Sequence, residues 1–171
     1  AFDEFSLYTK TYLSSQKFPK TPLPPGTVIN KSCGGKDEKE IKEVLEAGYQ
    51  SLAGCILWGA RGTCPASLWA ASQVCSVMSC PSWKAWHLAI GVLAYQYSVR
   101  DRGIVFRADG NVEPMMLADA SFKIDPHTGK TQHGTLALLY GGPIIAVSKK
   151  IPYVALSTPH AELCAMNYAA R

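Results

Sequence analysis

Long apolar runs are missing from this chain. No stretch reaches the roughly 18 uncharged apolar residues that a membrane-crossing helix needs, so no helical span is expected. Charge is scarce as well, at 18% Asp, Glu, Lys and Arg with a formal net charge of +4. That balance excludes a histone-like polycation and still permits a polyanionic partner. Metal-finger spacing is absent: the six cysteines, at 33, 55, 64, 75, 80 and 164, include no C-x-x-C pair, and no histidine stands at zinc-finger distance from them. Several of these cysteines fall inside helical apolar patterns, which predicts buried free thiols and a reducing compartment. The start Ala1-Phe2-Asp3-Glu4 lacks a basic n-region, so a signal peptide is not expected.

What is present is a globular composition, with 47% of 171 residues apolar. That length supports one or two domains with a real core. Phe2 to Phe18 mixes aromatics with Ser, Thr and Lys and shows no clean period. Pro19, Pro22, Pro24, Pro25 and Gly26 then predict a linker in which helix cannot persist, and Thr27 to Gly35 continues as loop. Asn30-Lys31-Ser32 fits a glycosylation acceptor, which carries no weight in an intracellular chain.

Three amphipathic helices are predicted next. Asp37 with Glu40 three residues on reads as a capping box. Ile41, Val44, Leu45, Leu52, Cys55 and Ile56 keep helical spacing to a stop near Gly59 to Gly62. Pro65 opens the second helix, with Leu68, Ala71, Val74, Cys75 and Met78 in period. Pro81 opens the third, whose apolar residues run from Trp83 and Trp86 to Tyr97 before Asp101-Arg102-Gly103 ends it. Short loops between such helices predict a compact antiparallel bundle. The tryptophans at 58, 69, 83 and 86 are read as packing residues rather than base-stacking ones.

Strand signals take over after Gly103. Gly103 to Arg107 and Leu117 to Phe122 are predicted strands around an Asp109-Gly110 turn region. Thr135 to Tyr140 and Ile144 to Val147 are β-rich runs flanking Gly141-Gly142, a hairpin signal. Ser157-Thr158-Pro159 starts a final helix, with a hydroxyl N-cap and a first-turn proline. Its first turn carries Glu162, while the Leu117 to Phe122 run carries Asp119. An acid on a strand and another on a nearby helix can share a divalent cation, which prefers hard oxygen ligands. His127, His133 and His160 carry no metal spacing and are read as surface residues, and Asp125 as a cap for the loop before Pro126.

From Asp119 to Glu162 these residues resemble, without a gap, the start of the ribonuclease H domain in the Pol polyprotein of copia-type LTR retrotransposons. That family reads approximately D-A-D-W-A-G-D-P, then G-G…I-S-W-S-S-K-K-Q-P, then A-L-S-S-T-E-A-E-Y. The matching residues are Asp119-Ala120-Ser121-Phe122, Asp125-Pro126, Gly134, Gly141-Gly142-Pro143-Ile144, Ser148-Lys149-Lys150, Pro152, Ala155-Leu156-Ser157 and Ala161-Glu162-Leu163. Where the family has Thr-Glu before Ala-Glu, this chain has Pro159-His160. Upstream, Tyr8-Thr9-Lys10, Thr21 to Gly26, Tyr49 to Gly54 and His87 to Phe106 are similar to the end of the family's reverse transcriptase.

The resemblance implies an α+β chain. Residues 1–102 are expected to form a helical bundle of the thumb and connection kind, with a Pro-rich linker at 19–26. Residues 103–171 are expected to be the first strands and first helix of a truncated ribonuclease H-like mixed sheet. It further implies hydrolysis of the RNA strand of an RNA–DNA hybrid with two Mg²⁺ or Mn²⁺ ions. Asp119 and Glu162 are the implied catalytic and metal-binding acids, and Ser121, Lys149 and Lys150 the implied contacts to nucleic acid. Partners follow as the hybrid, the rest of the Pol polyprotein and a second copy of the chain, with no membrane. The expected location is a cytoplasmic virus-like particle or the nucleus. No Tyr-x-Asp-Asp polymerase motif occurs, and the strand bearing the family's third acid is not in the sequence, so this segment alone is expected to be inactive. The alternative reading is a non-catalytic retroelement remnant that binds nucleic acid or protein.

Overall fold

Gly48 divides what the apolar period presents as one long helix. In the computed structural model, which describes residues 5–15, 17–27, 29, 34–107, 112–122 and 129–170, this glycine has φ 97°. A left-handed residue of this kind ends a helix, and glycine adopts it without steric cost. The Asp37–Gly62 segment therefore becomes α2, Glu38–Glu46, and α3, Tyr49–Gly62. The chain as a whole forms two compact units, Ala1–Arg102 and Gly103–Arg171. Together their described residues make an α+β protein of six α-helices and one three-stranded antiparallel sheet.

The first unit begins with a helix that has no legible period, α1, Ser6–Ser15. Aromatic packing rather than an apolar stripe holds it. The Phe5 and Tyr8 rings meet Trp86 edge-on, with centroids 6.0 and 4.9 Å away. The Pro-rich segment is packed rather than a free linker: Leu23 is buried, and the Phe18 ring lies between Tyr12 and Tyr97. Only half of the capping box forms. Asp37 accepts the Lys39 N–H at 3.1 Å, whereas Glu40 Oε1 accepts the Trp83 N–H at 3.0 Å and so caps a different helix.

Pro65–Ser67 is a single 3₁₀ turn leading into α4, Leu68–Cys75, which stops before Met78. The next helix, α5, Trp83–Ser98, starts at Ser82, whose hydroxyl accepts the Ala85 N–H at 3.2 Å. Tyr49 of α3 donates to the Val74 carbonyl of α4 at 3.0 Å, and Gln96 of α5 donates to Ser67 Oγ at 2.8 Å. The start of α3 thus meets the end of α4, and the end of α5 the start of α4. An up-down-up bundle results. Its core is Val44, Tyr49, Leu52, Ile56, Val74, Trp86 and Val92, all fully buried. Burial, with smaller contributions from the Cys75 and Cys80 thiols, pushes the Tyr49 phenol far above its ordinary range. The thiols depart from expectation: all five described cysteines are free, but only Cys164 is buried.

In the second unit, β1, Met115–Ser121, β2, Gln132–Leu139, and β3, Gly142–Lys150, form an open sheet in that order. Every pairing among the described residues is antiparallel, where the resemblance implies a mixed sheet. Short connections without a crossover helix allow only this arrangement. The β2–β3 turn places its two positive φ values at Tyr140 (51°) and Gly141 (75°), one residue earlier than the Gly-Gly pair suggests. Both central residues of a two-residue type I′ turn need that conformation. Gly142 instead opens β3 beside the Phe106 ring, where a Cβ would come within 2.7 Å of ring carbons. Gly103 to Arg107 adds no strand; its Arg107 N–H donates to the Tyr140 carbonyl at 2.9 Å. Asp109-Gly110, Asp125 and His127 lie outside the described residues. The last helix, α6, Thr158–Ala169, is capped by Ser157, whose hydroxyl accepts the His160 N–H at 3.3 Å. It packs Ala161, Cys164 and Ala165 inward, against β1 and β2.

Candidate carboxylate site

Side chains alternate across a strand, so Met115, Leu117, Asp119 and Ser121 share one face of β1 and Met116, Ala118 and Ala120 the other. The helix-covered face is fixed by His133. It stands opposite Ala120 and stacks on Tyr168 of α6, with centroids 4.5 Å apart and planes 16° apart. Asp119 and Ser121 therefore project from the open face, and both are exposed.

Register builds the surroundings of Asp119. Across the sheet it faces Gly134 and then Ser148, while Ser121 faces Gln132 and then Lys150. Gln132 Nε2 donates to Ser148 Oγ at 2.8 Å, tying the two rows together. One carboxylate, two hydroxyls, an amide and an ammonium thus share this face. Lys149 does not join them. It stands opposite His133 on the helix side of the sheet, so the Lys149-Lys150 pair is split between two faces.

Glu162 reaches the same strand from the other side. It lies half-buried just past the first turn of α6, as its fifth residue rather than in the first turn as expected, and borders a cavity of about 480 Å³ with Met116, Leu117 and Ala118 of β1 and Met166 one helical turn on. The glutamate thus shares a cavity with Ala118, the residue immediately before Asp119. β1 pairs with β2 on one side and with no described strand on the other. The two acids approach this open edge from opposite faces.

His133 corrects the sequence reading. It is a buried residue at 2% exposure, not a surface one. Burial and then the nearby Lys149 ammonium lower its pKa, because both disfavour the imidazolium. Its Nδ1 and the Thr135 hydroxyl two residues on are buried without a hydrogen-bond partner. His160 is half-buried, its Nδ1 accepting the Leu156 N–H at 3.3 Å and its ring stacked near Tyr153. The Tyr153 hydroxyl in turn meets Cys164 Sγ at 3.0 Å.

A pair of divalent ions needs several acids converging on one point. Among the described residues no three His, Cys, Asp or Glu side chains converge in that way. Asp119 and Glu162 at an exposed strand edge do not by themselves make a two-ion centre. Sequence reasoning missed Gln132 and Ser148 as members of the open face, because the open face is odd-numbered on β1 and even-numbered on β2 and β3, and only the strand register supplies that change. No helix among the described residues is long and apolar enough to cross a membrane. Comparison with protein-family models, curated proteins and solved structures finds no match to this chain.

Proposed function

We propose that the second unit is the opening half of a ribonuclease H-like domain from a copia-type Pol polyprotein, with an RNA–DNA hybrid as its ligand. One observation carries this reading: a three-stranded meander leads into a helix, and the strand acid Asp119 and helix acid Glu162 meet the same edge of β1. The antiparallel order is compatible with such a fold without being specific to it. On this reading Ser121 and Lys150, in one row of the open face, hold a phosphate and its sugar by hydrogen bonding and charge. Asp119 and Glu162 supply two oxygen-rich ligands for Mg²⁺ or Mn²⁺, and further acids complete the site. Hydrolysis therefore belongs to the larger protein, and the chain by itself binds rather than cuts.

The test is titration of a labelled RNA–DNA hybrid with this chain in magnesium or manganese, followed by assay for cleavage. Expected is binding without cleavage, weakened several-fold by Lys150→Ala, with a shallower dependence on salt. Asp119→Asn and Glu162→Gln should remove any dependence of binding on the divalent ion. A chain that ignores the hybrid at low salt sinks the reading.

A further inference from the structure

Of the four tryptophans, the structure sets one apart. Trp86 is fully buried in the bundle core, whereas Trp58, on the outer side of α3, is 83% exposed. Its neighbours one helical turn away in either direction are Gly54 and Gly62, and a Cβ at either glycine would meet nothing within 4 Å. The indole thus stands without flanking side chains from its own helix at those positions. An apolar ring of this size in water gains by being covered.

Charge identifies what covers it. α3 carries no carboxylate from Tyr49 to Gly62, and its last turn carries Arg61. The helices α3 and α5 run the same way: Tyr49 lies beside Trp86 near both starts, and Gln96 Nε2 donates to the Ile56 carbonyl at 2.9 Å near both ends. Their C-terminal ends therefore share one end of the bundle. That end carries Trp58 and Arg61 in the last turns of α3, and Tyr97, Arg100 and Arg102 at and just beyond the end of α5, with Arg100 stacked 4.1 Å over the Tyr97 ring. Arg100 also meets Asp101 at 3.8 Å, while among the described residues neither Arg61 nor Arg102 meets a carboxylate. Glu40 lies at the opposite end, where it binds the first N–H of α5 from a helix that carries both glutamates and lysines. About 20 Å of α3 separates the two ends, at 1.5 Å per residue.

From this arrangement we infer that the arginine end of the bundle binds an unpaired polynucleotide strand, with a base stacked on Trp58 and phosphates held by Arg61 and Arg102. A base offers a flat π-face to the indole whatever its identity, and the strand's phosphates match the arginines. A duplex hides those faces in its own stack. The inference stands on the first unit and does not depend on the reading of Asp119 and Glu162.

Fluorescence anisotropy with a labelled single-stranded oligonucleotide of about 12 nucleotides tests it on the full chain at low salt. Trp58→Ala is expected to weaken binding roughly tenfold, and Trp58→Phe to keep most of the affinity. Arg61→Ala should lower the slope of log affinity against log salt by about 0.7. Lys42→Ala, an exposed lysine of α2 outside both proposed sites, should leave single-strand affinity unchanged. Because Trp58 is exposed, circular dichroism of the variants should match the parent. Unchanged affinity in Trp58→Ala overturns the proposal, as does equal binding of a duplex of the same length. So does absence of oligonucleotide binding, including the case where Trp58→Ala instead reduces self-association and marks a protein interface.

Discussion

His133 shows how one side chain links packing to pH. Its ring is sandwiched under α6 against Tyr168, and its Nδ1 has no partner there. The charged form is disfavoured by burial first and by Lys149 second, so the folded-state pKa lies below the ordinary histidine value of about 6.5. From α6 the Tyr168 phenol ring stacks on it. With the folded pKa depressed, the unfolded chain binds the proton more tightly. The stabilisation is thus complete above about pH 6.5 and is lost as pH falls through the folded value. Urea midpoints for the parent should therefore fall between pH 7.5 and pH 5 more than those of His133→Phe, which keeps the stack and removes the proton site. Equal pH dependence in the two proteins would count against this account.

Elements fail or hold for reasons that can be named residue by residue. Ser157 as cap, Pro159 in the first turn and Ala161 to Arg171 as helix formers made α6 readable from sequence alone. The hairpin was readable too, except for its centre: Tyr140 carries a positive φ that only the neighbouring glycines advertise. The break at Gly48 was hidden because Val44 and Leu52 are both buried, so the apolar period continues across it. α1 was invisible because its contacts to Trp86 join rings 78 and 81 residues apart in sequence, not a stripe of its own. Of the site, Asp119 and Glu162 were readable as strand and helix acids. The burial of His133 was not, since it depends on a helix that begins 25 residues later. Gly48 offers the direct test of the element-level argument. Ala at φ 97° should cost about 1–2 kcal/mol and lower the denaturation midpoint. Ala at Gly54, mid-helix and open, should leave it unchanged or raise it slightly.

At the scale of the whole molecule, each unit presents a different surface. The first carries its arginines, at 61, 100 and 102, at and just beyond the C-terminal ends of α3 and α5, while the glutamates and lysines of α2 alternate in charge. The second ends its sheet on a strand with Met115, Met116 and Leu117 about half exposed, beside Met166 of α6 at 61%. An apolar strand edge of this kind invites pairing with other chains. Three of the chain's four methionines therefore sit around one cavity and one strand edge. Thioethers in water oxidise to sulfoxides, which are polar and reversible by reductases. Mild peroxide should convert these three before half-buried Met78, as peptide mass mapping can show. The oxidised chain should then scatter less light at high concentration than the reduced one, making this edge a surface whose stickiness is set by the redox state around it.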